Sequence, residues 1–339
     1  MMLAGRLALL LVFTAIGLTG PTGSSSSPRA EDIRFIRIGT GPIGGTYFPV
    51  GGLIANVISG PPGSRACDLG GNCGVPGLIA AAVSTQGSLD NVTEMGAGML
   101  DLALCQADVA HDAYTGRGSY AGKPVAKLRV IANLFPEAVH VVVRQDGKIT
   151  NIGELKGKRV SVGEKNSGTL ATARVVLRGY DVALKDLKPI YEKLARSADM
   201  LTAGEIDAFF MVGGQPIAAI ARSAERNAIA LLPITGRDAE RVIGAEPFFS
   251  PTVIPRDAYN GVPATETIGV GAQLVVSADM DVDLVYAITR SLWDPRNRTV
   301  LDGGTPNGRR IRLQSALDGL AAPLHPGARR FYVEAGMMR

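Results

Sequence analysis

The sequence predicts an α/β protein of two lobes, and three observations carry that expectation. Short β-branched runs alternate with helix-period segments for most of the chain, a pattern that implies parallel sheets covered by helices. Roughly 310 residues follow an apolar N-terminal stretch, more than one core usually organises, so two lobes are expected. Gly and Ala are plentiful and aromatics scarce, as in compact α/β folds.

Taken in order, residues 1–30 read as an export signal and flexible spacer. One positive charge (Arg6), an apolar run from Leu7 to Phe13 and a small-residue, Ser-rich stretch follow one another, and the run is too short for a membrane span. The formal charge is +4; removing Arg6 and Arg29 leaves 33 bases against 31 acids. A balance this even argues against a nucleic-acid partner. Strands are expected at 35–38, 102–105, 129–132, 139–143, 159–162, 188–190, 208–212 and 229–232. Helices are expected at 47–58, 169–178, 197–203 and 215–223. The stretch 134–143 reads as a strand crossing from the first lobe to the second, with the return after Leu232. The boundaries this gives are 31–133 plus 252–339 for lobe 1 and 134–251 for lobe 2. Binding residues then belong on the loops that follow strands, and two connections between lobes make a hinge.

Four such loops are candidates for ligand contact. The first is Gly39-Thr40-Gly41-Pro42-Ile43-Gly44-Gly45-Thr46-Tyr47, a strand running through a glycine-rich turn into a helix. Its glycines match G-x-G-x-x-G, but no acid lies between Ile33 and Cys67 to hold a dinucleotide ribose. Helix N-termini offer free N–H groups to an anion, so Gly44, Gly45, Thr46 and Tyr47 are assigned to ligand contact. Thr46 either caps the helix or donates to a carboxylate. Ser167-Gly168-Thr169 repeats this logic in the second lobe, with ordinary N-capping as the competing role for Ser167. Two facing cradles suit a ligand with two anionic ends. Gln106 and Asp108 follow the strand at 102–105, Asp108 as a helix cap or a cleft residue. Glu137 and His140 lie on the crossing strand, where Glu137 either accepts from a ligand amino group or bridges the lobes. Gly214, in Gly213-Gly214-Gln215-Pro216, either lets a ligand approach the backbone or forms a plain turn, with Pro216 early in a helix.

Cys67 and Cys73 flank a turn-rich loop and are expected to form a disulfide, whereas Cys105 reads as a buried thiol. Two thiols without nearby histidines make a poor metal site. The three histidines are scattered, and H-E-x-x-H, G-x-S-x-G and a Walker lysine are all missing from the sequence. No enzyme, cofactor or metal is therefore expected.

The order and spacing of these segments resemble the TAXI family of solute receptors, which serve TRAP-type transporters. The likeness rests on Gly44-Gly45-Thr46-Tyr47-Phe48-Pro49, Gly87-Ser88-Leu89-Asp90-Asn91, Gln106-Ala107-Asp108 and Phe135-Pro136-Glu137. It continues through Leu155-Lys156-Gly157-Lys158-Arg159, Ser167-Gly168-Thr169 and Leu324-His325-Pro326-Gly327-Ala328. It implies a type II periplasmic-binding-protein fold, a monomeric periplasmic receptor, and a small anionic solute such as glutamate, glutamine or 2-oxoglutarate delivered to TRAP permease subunits. A sensor that reports the solute to a membrane kinase is the alternative. The chain departs from the family pattern in the decorated stretch 61–82 and in Asn166, where a glycine is usual.

Overall fold

The computed structural model describes residues 33–226 and 229–339; the expected export signal lies outside the described residues. In chain order these form β1 (Arg34–Gly39), α1 (Tyr47–Ile58), β2 (Ser59–Gly60), β3 (Val75–Pro76), β4 (Leu78–Val83), α2 (Ser88–Gly96), β5 (Leu102–Gln106), α3 (Ala107–Thr115) and β6 (Leu128–Arg144). Then follow β7 (Arg159–Ser161), α4 (Gly168–Gly179), β8 (Lys188–Ile190), α5 (Leu194–Thr202), β9 (Ala208–Gly213), α6 (Ala218–Arg226), β10 (Ile229–Leu231) and α7 (Gly236–Ala245). The chain closes with β11 (Ser250–Ile254), β12 (Thr265–Ser277), α8 (Val282–Leu292), α9 (Arg298–Gly304) and α10 (Pro326–Glu334).

The main sheet has ten strands, running β4-β1-β5-β12-β6-β9-β7-β8, with β10 beside β6 and β11 beside β12. Parallel pairs lie at both ends, β1 with β4 and β5, and β7 with β8 and β9. The centre is antiparallel. There β12 pairs with β6 from Gly269 opposite Ala138 to Ser277 opposite Leu128. From Ala138 onward β6 continues against β9, while residues 265–269 of β12 pair with β11. Two long strands thus run through both halves of the sheet, and everything else belongs to one half or the other.

The expected strands at 129–132 and 139–143 are two ends of the single 17-residue β6. Pro136, exposed and without an N–H, and the polar Asn133 interrupt the apolar run between them. Its partner β12 was not expected, because Gly269 and Gly271 dilute its β-branched pattern.

Local chemistry accounts for the helices that frame the centre. In α1, Tyr47, Val50, Ile54, Val57 and Ile58 are buried at helical spacing. In α4 the Ser167 hydroxyl accepts from the Leu170 N–H, and Leu170, Ala173, Val176 and Leu177 face inward. The helix expected at 215–223 begins instead at Ala218, after the Gln215–Pro216 peptide, which is cis; a residue before proline avoids the α region, so Gln215 stays in the turn. Cys67 and Cys73 are joined, with Cα atoms 4.7 Å apart, and Cys105 is a buried free thiol. The Cys73 backbone is pinned to the first half by the Asn297 carboxamide and the Ser291 hydroxyl.

Candidate ligand-binding site

Between the two halves lies a cavity of about 50 Å³. One wall is the turn into α1 (Gly45, Thr46, Tyr47) with Gln106 from the end of β5. The opposite wall is Ser167, Gly168 and Thr169 at the start of α4, with residues 210–212 of β9. Glu137, on the shared strand β6, forms part of the floor. Sequence-distant segments meet here because strand ends and helix starts converge at the carboxyl edges of the parallel pairs.

The most distinctive feature is a buried phenol–carboxyl pair. The Tyr47 hydroxyl donates to Glu137 Oε2 at 2.7 Å, and Glu137 is 2% exposed. Burial pushes the Glu137 carboxyl up to about 8; the Tyr47 hydrogen bond pulls the other way, and the charge of Asp108 adds to the rise. Burial likewise raises Tyr47 well above the ordinary phenol range, helped by the neighbouring Glu137. At neutral pH Glu137 holds a proton unless a cation sits beside it.

Three further hydrogen bonds fix the walls across the gap. Gln106 Nε2 donates to Thr172 Oγ1 at 3.0 Å, and that hydroxyl donates to Asp108 Oδ2 at 3.3 Å. Burial raises Asp108 to about 7, although the Val109 N–H and the Thr172 hydroxyl favour its charged form. Its Oδ1 is buried without a hydrogen-bond partner. The Asp90 N–H, on α2, donates to the Asn166 carbonyl at 3.0 Å.

The hydroxyls at the two helix starts already have protein partners. Ser167 accepts from Leu170 N–H and donates to the Glu164 carbonyl, so it caps α4. Thr169 accepts from the Val212 N–H at 3.3 Å. Thr46 gives no side-chain cap to α1 and donates instead to the Gly214 carbonyl at 3.0 Å. Glycine at 168 lets the start of α4 lie close against the Gln106 carboxamide and the Ser88 hydroxyl, which a Cβ there would displace.

Of the residues assigned from sequence, Gly45, Thr46, Tyr47, Gln106, Glu137, Ser167, Gly168 and Thr169 line this cavity. Gly44 and Gly214 do not. Gly44 borders an adjoining outer depression beside Glu164 and Lys193, and Gly214 lies behind Thr46, against Asn307 and Phe135. His140 sits within the second half, its Nδ1 donating to the Ala138 carbonyl and its Nε2 accepting from Tyr259. Burial lowers it to about 4. Sequence reasoning did not assign Thr172, nor Ser88, which lines the cavity and accepts from the Gln106 N–H at 3.1 Å. Thr172 falls on the same face of α4 as Gly168 and Thr169, and that helical spacing was the available signal.

Three carboxyls line the cavity, Glu137, Glu164 and Glu192, and among the described residues the lining includes no Lys or Arg. What this lining offers an anion is the first turns of α1 and α4, where backbone N–H groups lack intrahelical partners.

Two sheet halves sharing two long antiparallel strands, with a cavity between helix N-termini, make this a type II periplasmic-binding-protein fold. The chain belongs to the NMT1-like family, which it matches over residues 38–336. Among solved structures, a protein of Bordetella bronchiseptica RB50 is similar with a TM-score of 0.51 at 13% identity, over 89% of this chain and 98% of that one. The alkanesulfonate-binding protein SsuA of Xanthomonas axonopodis pv. citri, bound to MOPS, gives 0.49 at 14% identity over 90% and 85%. A putative L-cystine ABC transporter of Listeria monocytogenes gives 0.48 at 13% over 84% and 98%. At 13% identity the likeness to the Bordetella protein speaks to the fold alone. Among the described residues no helix is long and apolar enough to cross a membrane.

Proposed function

We propose that this protein is a periplasmic, non-enzymatic solute receptor that captures a small organic acid between two lobes, residues 31–133 with 252–339 and residues 134–251. The observation that carries the proposal is the buried Tyr47–Glu137 pair in a cavity walled by the N-termini of α1 and α4. A ligand carboxylate would be held by first-turn N–H groups of one or both helices. Glu137 would then meet the ligand's other end. Against an ammonium it would ionise and accept; against a second carboxylate it would keep its proton and donate. Glutamate, glutamine and 2-oxoglutarate span these options.

The resemblance to TAXI receptors supports delivery to TRAP permease subunits. Thermal unfolding of refolded mature protein against amino acids and dicarboxylates tests the receptor reading. A ligand at about 100 times its Kd stabilises by about 2.7 kcal/mol, a shift of several degrees for this size. A shift confined to one or two acids is expected; no shift across the panel would reject an acid ligand. Uptake by vesicles carrying the permease should stop when the ion gradient is collapsed. Uptake that needs ATP instead would reject the TRAP partner and leave the receptor standing.

A further inference from the structure

The Gly214 carbonyl, just past β9 in the second half, accepts two hydrogen bonds from the first half. One comes from the Thr46 hydroxyl and the other from Asn307 Nδ2, each at 3.0 Å. Asn307 is 3% exposed and lies outside the cavity, on the segment after α9. That segment is anchored to the first half, since Leu53 of α1 packs against the backbone of Gly304 and Gly308. Glycine at 214 lets the Asn307 carboxamide come this close, since a Cβ there would overlap it. Two residues upstream, the Val212 N–H holds the Thr169 hydroxyl at the cavity wall. The carbonyl gripped by Asn307 is therefore joined through three residues of backbone to the start of α4.

We propose that Asn307 is a positioning residue that latches the two halves closed through the Gly214 carbonyl, without touching the ligand. One amide cannot satisfy itself fully in this place. Its Nδ2 is used, while its Oδ1 is buried without a partner among the described residues. An unpaired buried acceptor offsets much of what the clasp contributes, which suits a contact that must open and re-form. The latch needs only that the halves move apart, so it stands or falls separately from the identity of the solute.

The test is amide hydrogen exchange on the ligand-free protein. The Asp90 N–H, bonded across the gap to Asn166, reports closure, and the amides of the β5–β12 ladder report the integrity of the first half. Asn307→Asp keeps the shape but turns the donor into an acceptor facing the Gly214 carbonyl; Asn307→Ala removes it. Both variants should exchange at Asp90 at least tenfold faster, with ladder protection unchanged. Unchanged exchange at Asp90 in both variants would overturn the latch. So would equal loss of protection at Asp90 and in the ladder, or failure of both variants to fold, since each shows a role in the core instead.

Discussion

Glu137 is a carboxyl whose environment opposes its own charge, and this has a consequence for stability. Its folded value of about 8 exceeds the ordinary 4.5, so between these limits the folded state binds more protons than the unfolded one. The stability it contributes is full below about pH 4.5 and is lost as pH rises through 8. Asp108, raised to about 7, acts in the same direction; His140, lowered to about 4, makes stability fall as pH drops from 6.5. Between pH 6.5 and 9 the His140 contribution is flat, and Glu137 alone should cost the protein about 2 kcal/mol. Glu137→Gln should remove most of that slope in urea unfolding; an equal slope in the variant would show that Glu137 is ionised in the unliganded protein. Both Tyr47 and Glu137 stood out in the sequence, one in a turn and one on a crossing strand. Their hydrogen bond did not, because it joins residues 90 positions apart through tertiary packing that no local pattern encodes.

At the scale of elements, what is local was legible and what is shared was not. The helix Tyr47–Ile58 follows directly from its apolar spacing and the turn before it. Strand β12 escaped because its glycines, tolerated between two neighbours, weaken the very signal that marks a strand. The start of α4 was correctly expected at residues 167–169, but whether Ser167 caps or binds depends on where its hydroxyl points. It accepts from Leu170 N–H at 3.1 Å, the geometry of an N-cap. Ser167→Ala should therefore destabilise the protein by about 1 kcal/mol in chemical denaturation. An unchanged midpoint would mean that the cap contributes nothing and would return the hydroxyl to the ligand.

At the scale of the whole molecule, two halves share β6, β12 and a buried apolar cluster that includes Ala107 and Val109 on one side and Leu170 and Ala173 on the other. Polar contacts also join them: Thr46 and Asn307 with Gly214, Thr172 with Gln106 and Asp108, Asp90 with Asn166. Chain length was enough to expect two lobes, and the alternation of strands and helices to expect sheets covered by helices. The contacts that hold them together involve residues far apart in the chain, so pattern alone could suggest facing cradles but not their seam. The central claim is that a small acid is captured between these halves, at the start of α4. Its most direct measurement is calorimetric titration of refolded wild-type protein and Gly168→Ala with the same panel of amino acids and dicarboxylates. The added methyl would displace Gln106 from the cavity wall while leaving a helix-compatible residue at the first position of α4. Saturable heat with one or two acids in the wild type, lost or weakened at least tenfold in a folded Gly168→Ala, is the predicted result. Equal binding by both proteins, or no binding by the wild type across the panel, would contradict it.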